Sequence, residues 1–317
     1  MHNPLVVYLH TMPPTTGSAY KFGAMLQRVI PGPVVVGTPA EHRAFLSHHR
    51  PDLCVVRGGS KDTWLTPMEA GVPYLLVEHD VASCREGMDA LLPDEIDMLQ
   101  SANAVLFVNS YLQDWCTDKC HLPYSRFVNL RPLSEQLAFA PTEKLPGRHL
   151  VYVGGVVGRD CQPTWAYRAY HDLFERIIDT GWTMHVYTSQ SPAVLKEYAD
   201  LGCIMHTTVP ERYLPAVLSQ YTAGLQGFGA HTDYSSIASP NKAWVYLAAG
   251  IPTIGINAGS AGNIYNGRWG TVLDSVSDMR TVFLRIPEIT DAMRYSETID
   301  QEEGTFRMLM ARALGMV

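Results

Sequence analysis

Short runs of apolar residues alternate with longer amphipathic stretches along the whole chain. Strands buried on both faces are continuous apolar runs, and strands that alternate with helices form parallel sheets covered by helices. We therefore predict a strand at each apolar run. In the first half these are residues 5–9, 33–37, 53–57, 73–77, 104–108 and 127–130, and in the second half 150–153, 183–187, 203–207, 223–226 and 253–256.

The alternating pattern occurs twice, and a short polar segment separates the two halves. Residues 141–146 begin and end with proline, a composition typical of a linker. The predicted fold class is α/β, with two Rossmann-like domains whose parallel sheets face each other across a cleft. We place these domains at residues 1–143 and 144–285. Residues 276–316 are predicted to be mostly helical with a break at Pro287, and residues 286–317 are a candidate to pack back onto the first domain.

Residues 239–252 contain the clearest local signal in the chain. Ser239 is a candidate N-cap, Pro240 suits the first helical turn, and Gly250 suits a left-handed end before Pro252. Lys242 then lies in the first turn of a short helix. Free amide groups, the positive end of the helix dipole and an ammonium group together favour a diphosphate. The alternative is that Lys242 is an ordinary solvated lysine.

A glycine-rich loop, residues 154–158, follows the first strand of the second half and precedes Arg159. Glycines let the backbone approach a phosphate, and an arginine pairs with it through two hydrogen bonds. A nicotinamide-binding domain needs an acidic residue at the end of the next strand, but that strand ends at Tyr187-Thr188-Ser189. An NAD-dependent enzyme is therefore disfavoured. A tight turn with an exposed arginine remains the simpler alternative.

Other polar residues follow predicted strands, where α/β proteins bind their ligands. His231 and Asp233 lie in a glycine-rich loop that suits a sugar, although they are equally plausible as surface residues. Glu78, His79 and Asp80 end a buried strand of the first half. Of these three, Asp80 and His79 are our candidates for a general base.

Composition narrows the class of protein. The net charge of −7 gives no overall positive field for nucleic acid or an anionic membrane. No apolar stretch approaches the roughly 20 residues that a membrane span needs, and the N-terminus lacks a signal-peptide pattern. The six scattered cysteines suit reduced thiols, so we predict a cytoplasmic protein.

Metal binding is not favoured by the sequence. Cys116, Cys120 and His121 are close in the chain, but no second ligand pair follows them, as a zinc site would require. No Asp-x-Asp triplet occurs either. We expect no metal, and we expect cationic side chains and amide groups to neutralise a bound diphosphate.

Taken together, these segments resemble the two-domain GT-B fold glycosyltransferases. Many relatives carry Ser-Pro-x-Lys-x-x-Glu-Tyr-Leu-Ala-Ala-Gly-x-Pro where this chain has residues 239–252. Residues 150–155 resemble the opening strand of the family's donor domain, and residues 209–215 resemble the segment that meets the nucleobase. Residues 102–110 resemble the last strand of the acceptor domain.

The resemblance implies transfer of a sugar, a hexose by preference, from a UDP- or GDP-linked donor to an acceptor hydroxyl, with no other cofactor and no metal. The implied diphosphate ligands are Lys242, Arg159, Gly154, Gly155, Ser239 and Asn241. The implied contacts to the nucleoside or sugar are Val209, Pro210, Tyr187, Tyr246, His231 and Asp233. No motif fixes the acceptor side, where Asp80 or His79 is the candidate base and Gly17, Ser18, Arg57 and Ser60 are candidates to line the site.

One position departs from the family pattern. The glutamate that usually holds the donor ribose is replaced by Val245. This replacement supports an alternative, a nucleotide- or sugar-binding module that has lost catalysis. A second alternative is a glycosyltransferase that acts on modified DNA bases, which the negative net charge disfavours.

Overall fold

The computed structural model describes residues 5–11, 32–57, 61–78, 81, 83, 92–107, 109–121, 126–127, 140–210, 213–230, 237–238, 241–290 and 308–315. The chain divides into two compact units. Unit 1 is Met1–Leu130 with Ile299–Val317, and unit 2 is Arg131–Thr298.

Unit 1 is built around a parallel sheet of six strands in the order β2-β1-β3-β4-β5-β6. Strands, helices and connections alternate as the apolar runs predict. The elements are β1 Val6–His10, β2 Val34–Val36, α1 Pro39–His48, β3 Leu53–Arg57, α2 Lys61–Glu69, β4 Tyr74–Glu78, α3 Pro93–Ser101, β5 Ala104–Phe107, α4 Ser110–Cys120 and β6 Arg126–Phe127.

Unit 2 repeats the plan, with a parallel sheet in the order β12-β11-β10-β7-β8-β9. Its strands are β7 His149–Val153, β8 Thr183–Tyr187, β9 Ile204–His206, β10 Ala223–Gly227, β11 Thr253–Ile256 and β12 Gly270–Leu273. Its helices are α5 His171–Ile178, α6 Pro192–Asp200, α7 Leu214–Leu218 and α8 Asn241–Ala248, with 3-10 helices at Pro163–Arg168, Gly259–Ile264, Val276–Arg280 and Val282–Leu284.

The strand order of unit 2 places the loops that follow β7, β8 and β10 next to one another. Strands β7 and β10 are neighbours at the centre of the sheet, and β8 lies on the other side of β7. Because all strands are parallel, the loops after β7, β8 and β10 leave from the same edge. That edge is where α/β sheets bind their ligands.

Close packing fixes α8 against this central pair of strands. The ring of Tyr246 lies on Gly224 of β10, where an added β-carbon would come within 2.2 Å of the ring. The Tyr246 hydroxyl donates to the Leu225 carbonyl oxygen (3.0 Å) and accepts from the Val153 amide (3.3 Å). Tyr246 therefore joins β7 to β10 and sets the position of α8 relative to the edge of the sheet.

The C-terminal part is less helical than predicted over residues 276–290. Short 3-10 helices at Val276–Arg280 and Val282–Leu284 are followed by residues 286–290 without helix. Residues 308–313 are α-helical. The absence of helix at Pro287 agrees with the predicted break, because proline lacks the amide donor that a continuing helix needs.

Candidate functional site

Helix α8 begins at the ligand-binding edge of the unit 2 sheet, and Lys242 is its second residue. The helix ends as predicted, with Gly250 in the left-handed region at a φ of 69°. The Gly250 amide donates to the Leu247 carbonyl oxygen, and the Ile251 amide donates to that of Tyr246. Ser239 and Pro240 lie outside the described residues, whereas Asn241 is half-buried at the start of the helix.

The Lys242 side chain lies directly over Gly154. A β-carbon on Gly154 would be 2.8 Å from Lys242 Cε and 3.5 Å from Nζ. Gly154 has a φ of 146°, a conformation that other residues rarely adopt. The glycine is therefore required both by the backbone and by the lysine that passes over it.

A second cation, Arg168, lies over the next residue of the same loop. A β-carbon on Gly155 would be 3.1 Å from Arg168 Nη1. Arg168 ends the 3-10 helix Pro163–Arg168, and its carbonyl oxygen accepts from the Val157 amide (3.1 Å). The loop after β7 and the residue that supplies the guanidinium are thus bonded to each other.

The two cations share a partly buried environment. Burial and, after it, the Arg168 guanidinium lower the pKa of the Lys242 ammonium to about 8. Among the described residues no carboxylate pairs with Lys242 or Arg168. Two neighbouring positive charges with no carboxylate partner in the described ranges give a positive potential over Gly154 and Gly155, which favours a bound anion with at least two charges.

Arg159, the arginine predicted for this position, lies elsewhere. It is exposed, and its guanidinium lies 3.9 Å from the Asp172 carboxylate. Its backbone amide donates to Glu197 (2.9 Å), a carboxylate that also bonds His171 Nε2 at 2.9 Å. The structure therefore brings Arg168, and not Arg159, beside Lys242.

Tyrosine hydroxyls hold the loop below the cations. The Tyr152 hydroxyl donates to the Gly155 carbonyl oxygen and lies 3.0 Å from the Tyr170 hydroxyl, which donates to the Gly227 carbonyl oxygen (3.0 Å). The Tyr198 hydroxyl donates to the Val157 carbonyl oxygen (2.8 Å) and accepts from the Tyr170 amide. Burial raises the pKa of Tyr152 and Tyr170, so both remain protonated donors.

Residues predicted to contact a nucleoside lie close to an apolar cluster. Val245 is 6% exposed and belongs to a cluster with Tyr187, Tyr246 and Leu214. Val209 packs against this cluster, and Pro210 is exposed. Tyr246 is fully buried with its hydroxyl bonded to the backbone, so it lies in the core.

A line of three histidines crosses β7, β8 and β9, and no local sequence pattern predicts it. His149 Nδ1 lies 2.9 Å from His185 Nε2, and His185 Nδ1 lies 3.0 Å from His206 Nε2. All contacts are satisfied by neutral rings if His149 Nε2 donates to the Pro146 carbonyl oxygen, 3.0 Å away. Burial and then the two flanking histidines lower the pKa of His185 to about 4.

Of the residues predicted on the acceptor side, only Arg57 is described. Arg57 ends β3, and its charge contributes, after burial, to lowering the pKa of His10 at the end of β1. The other predicted residues of unit 1 lie outside the described residues: Asp80, His79, Gly17, Ser18 and Ser60. In unit 2, His231 and Asp233 lie outside them as well.

The described part of the chain contains no group of three or more His, Cys, Asp or Glu residues arranged to hold a metal ion. Cys116 and Cys120 are buried in α4, where the Cys120 thiol donates to the Cys116 carbonyl oxygen. None of the helices in those ranges combines the length and apolar character needed to cross a membrane.

No family model matches the chain, and no curated protein matches its sequence. Solved structures match its fold. Anabaena HepE in complex with UDP is 11% identical, with 99% of this chain and 100% of that chain covered and a TM-score of 0.65. AviGT4, a glycosyltransferase involved in avilamycin A biosynthesis, is 12% identical, with 99% of each chain covered and a TM-score of 0.63.

A third match is an α,α-trehalose-phosphate synthase (UDP-forming) from Burkholderia xenovorans in complex with glucose 6-phosphate. It is 10% identical, with 98% of this chain and 100% of that chain covered and a TM-score of 0.64. Full-length matches of this kind identify the fold as GT-B, and the predicted fold class, two Rossmann-like α/β units with parallel sheets, is confirmed.

Proposed function

We propose that this protein is a glycosyltransferase whose second unit binds the diphosphate of a UDP-linked sugar between Lys242 and Arg168. The observation that carries the proposal is the pair of cations over Gly154 and Gly155, neither of which has a carboxylate partner in the part of the chain that the structure describes. A diphosphate is the common biological anion that matches two adjacent positive charges and a loop of close-approaching backbone.

The two cations suit the chemistry of glycosyl transfer. The bond between the anomeric carbon and the diphosphate oxygen breaks, and the acceptor oxygen bonds to that carbon and loses its proton to a base. Negative charge develops on the departing diphosphate. Fixed positive groups stabilise this charge without reorganising, so no metal is needed for that role in the proposed mechanism.

Two groups complete the proposal beyond the cation pair. We assign the proton transfer to Asp80 or His79, on the pattern of titratable residues after a buried strand. We assign the nucleotide as UDP, because HepE is in complex with UDP and the trehalose-phosphate synthase is UDP-forming. The acceptor is a hydroxyl group.

Calorimetric titration with UDP, GDP, dTDP and ADP tests the proposal. UDP is expected to bind most tightly, and Lys242→Met, which keeps an unbranched side chain one atom shorter and removes its charge, is expected to weaken UDP about 10- to 100-fold. Lys196→Met is the matched control, because Lys196 pairs with Asp200 on exposed α6. Equal UDP affinity in wild type and Lys242→Met would contradict the proposal.

A nucleotide-binding module without catalysis is the second candidate, and the buried position of Val245 favours it. A hydrocarbon in an apolar cluster cannot hold the ribose hydroxyls that the family's glutamate holds. Release of UDP from UDP-sugars separates the two candidates. Turnover that Lys242→Met lowers about 10²–10³-fold supports an enzyme, whereas UDP binding without turnover on any sugar supports the module.

A further inference from the structure

Both cations of the site lie over aromatic rings. Lys242 Nζ is 5.0 Å from the centroid of the Tyr152 ring. Arg168 Cζ is 5.1 Å from the Trp165 ring centroid and 5.3 Å from that of Tyr167. Within the residues that the structure describes, the cations thus have ring faces as neighbours where most buried cations have carboxylates.

A ring face and a carboxylate act differently on a cation that must bind an anion. A carboxylate neutralises the cation and competes with the incoming phosphate for its donors. A ring face attracts the cation through its quadrupole but accepts none of its hydrogen bonds strongly. The guanidinium is thereby restrained in one direction, while its five N–H donors stay available for two-point binding of a phosphate.

The 3-10 helix that carries Arg168 is itself anchored at the edge of the sheet. The Tyr167 carbonyl oxygen accepts from the Gly229 amide (2.9 Å), and the Tyr167 ring packs on Phe228. A β-carbon on Gly229 would come within 1.9 Å of the Ala169 carbonyl oxygen. The residues on both sides of Arg168 therefore pack against the loop after β10, which holds the Arg168 backbone in place. The long Arg168 side chain needs further contacts to be held in one conformation.

Trp165 stands out among the three rings because it is 37% exposed, the only one not part of the core. Its ring lies nearly parallel to that of Tyr167, at 6.2 Å and 23°. Exposure of a tryptophan is unfavourable for folding on its own, since a large apolar area stays in water. Trp165 is therefore the ring of the three that a substitution changes with the least effect on the core.

We propose that Trp165 is a positioning residue that holds the Arg168 guanidinium over Gly155 through its ring face and leaves the charge free for the diphosphate. The inference rests on the proposed function, because it assigns Trp165 a part in the same diphosphate site. It predicts that the ring of Trp165, and not its apolar bulk, sets the affinity for a diphosphate.

Titration with inorganic pyrophosphate tests this, because pyrophosphate has neither base nor sugar to stack on the indole. Trp165→Leu keeps an apolar side chain without a ring, and Trp165→Phe keeps a ring. We expect Trp165→Leu to weaken pyrophosphate about 3- to 10-fold, the factor for losing one cation–π contact, and Trp165→Phe to stay within about 2-fold of wild type. Trp165→Gln, a second ring-free variant, is expected to behave like Trp165→Leu.

Trp115→Leu is the matched control. Lys119 Nζ lies 5.9 Å from the Trp115 ring on α4 of unit 1, so the same chemical change is made in another cation–π pair. It is expected to leave the pyrophosphate affinity unchanged. Melting temperatures of all variants accompany the titrations, and the exposed Trp165 variants are expected to stay within a few degrees of wild type.

Each other outcome has a distinct meaning. Unchanged pyrophosphate affinity in Trp165→Leu, or equal loss in Trp165→Leu and Trp165→Phe, overturns the positioning role and leaves the proposed function intact. A loss of UDP affinity without a loss of pyrophosphate affinity shows that the indole touches the nucleoside, and it also overturns the inference. A wild-type protein that binds neither pyrophosphate nor UDP overturns the proposed function and the inference together.

Discussion

Gly154 and Lys242 are in direct contact, and the lysine side chain occupies the space that a side chain at position 154 would fill. A β-carbon on Gly154 would lie 2.8 Å from Lys242 Cε, and the φ of 146° at Gly154 suits only glycine. The loop after β7 is thus shaped so that the first turn of α8 can extend a lysine across it. The ammonium group is held at the edge of the sheet by a contact that depends on the absence of a side chain.

Gly154→Ala tests this contact. The added methyl group displaces Lys242 and strains the backbone, so we expect pyrophosphate and UDP to bind about 10- to 100-fold more weakly, measured by calorimetry. We also expect the unfolding free energy to fall by about 1–3 kcal/mol, measured by urea denaturation.

Gly181→Ala separates the two effects of Gly154→Ala. Gly181 has a φ of 87°, but an added β-carbon there meets no atom within 4 Å. This variant is expected to lose stability and keep its affinity for pyrophosphate. If Gly154→Ala also kept its affinity, the lysine would not depend on the glycine.

The affinity for a diphosphate is expected to fall as the pH rises through about 8, the pKa of Lys242. The bound anion favours the charged ammonium, so binding takes up a proton when the free protein has partly lost it. Titrations of pyrophosphate between pH 7 and 9.5 measure this dependence. In Lys242→Met this fall is expected to disappear, because arginine remains charged and pyrophosphate only gains negative charge as the pH rises.

The same pKa has a consequence for the unliganded protein. The folded-state pKa of Lys242 lies below the ordinary 10.5, so the unfolded chain binds more protons between about pH 8 and 10.5. The contribution of Lys242 to stability therefore rises with pH across that window. Urea unfolding of wild type and Lys242→Met at pH 8 and 10 is expected to show a smaller gain for the variant.

Substitutions of Arg168 and Arg159 are expected to have different effects on the affinity for UDP. Arg168→Ala is expected to weaken UDP about 10- to 100-fold, because it removes one of the two charges over the glycine loop. Arg159→Ala, which removes an exposed side chain beside Asp172, is expected to leave the affinity unchanged. The reverse order in a titration of the two variants would restore the assignment made from the sequence.

The difference between these two arginines shows which parts of the candidate site can be predicted from the sequence. The place of Lys242 in the first turn of a helix could be predicted, because helix starts and stops are local patterns of Ser, Pro and Gly. Arg168 could not, since its contact with Gly155 arises only when the 3-10 helix folds back along the edge of the sheet. The one local sign was the aromatic-rich segment Trp165-Ala166-Tyr167-Arg168, which contains rings on which an arginine can stack.

The parallel sheets themselves could be predicted from the sequence, because strands buried on both faces are continuous apolar runs. The side-chain contacts between neighbouring strands could not be predicted. The line formed by His149, His185 and His206 depends on the order β7-β8-β9 and on its register, neither of which leaves a local pattern. Tyr246 matched the family motif by sequence, whereas its buried hydroxyl joins two strands.

Tyr246→Phe distinguishes a structural hydroxyl from one that touches ligand. The variant leaves the Val153 amide without its partner and is expected to lower the unfolding free energy by about 1–2 kcal/mol. Affinity for UDP is expected to stay within about 2-fold, because the hydroxyl lies in the core. A stable variant with a large loss of UDP affinity would place this hydroxyl in the ligand site.

Stability is expected to fall on mild acidification because of His185. Its folded-state pKa is about 4 against an ordinary 6.5, so the unfolded chain binds more protons between these values. Stability is therefore complete above pH 6.5 and is lost as the pH falls towards 4, by up to about 3 kcal/mol from this group. Urea unfolding of wild type at pH 7.5, 6 and 5 measures the loss.

His185→Gln is the variant that assigns this pH dependence, because glutamine keeps hydrogen-bonding capacity and does not titrate. It is expected to be less stable than wild type at pH 7.5 and to lose less stability between pH 7.5 and 5. His48→Gln, an exposed histidine at the end of α1, serves as the control and is expected to keep the wild-type slope. The same slope in His185→Gln and wild type would show that other groups cause the acid sensitivity.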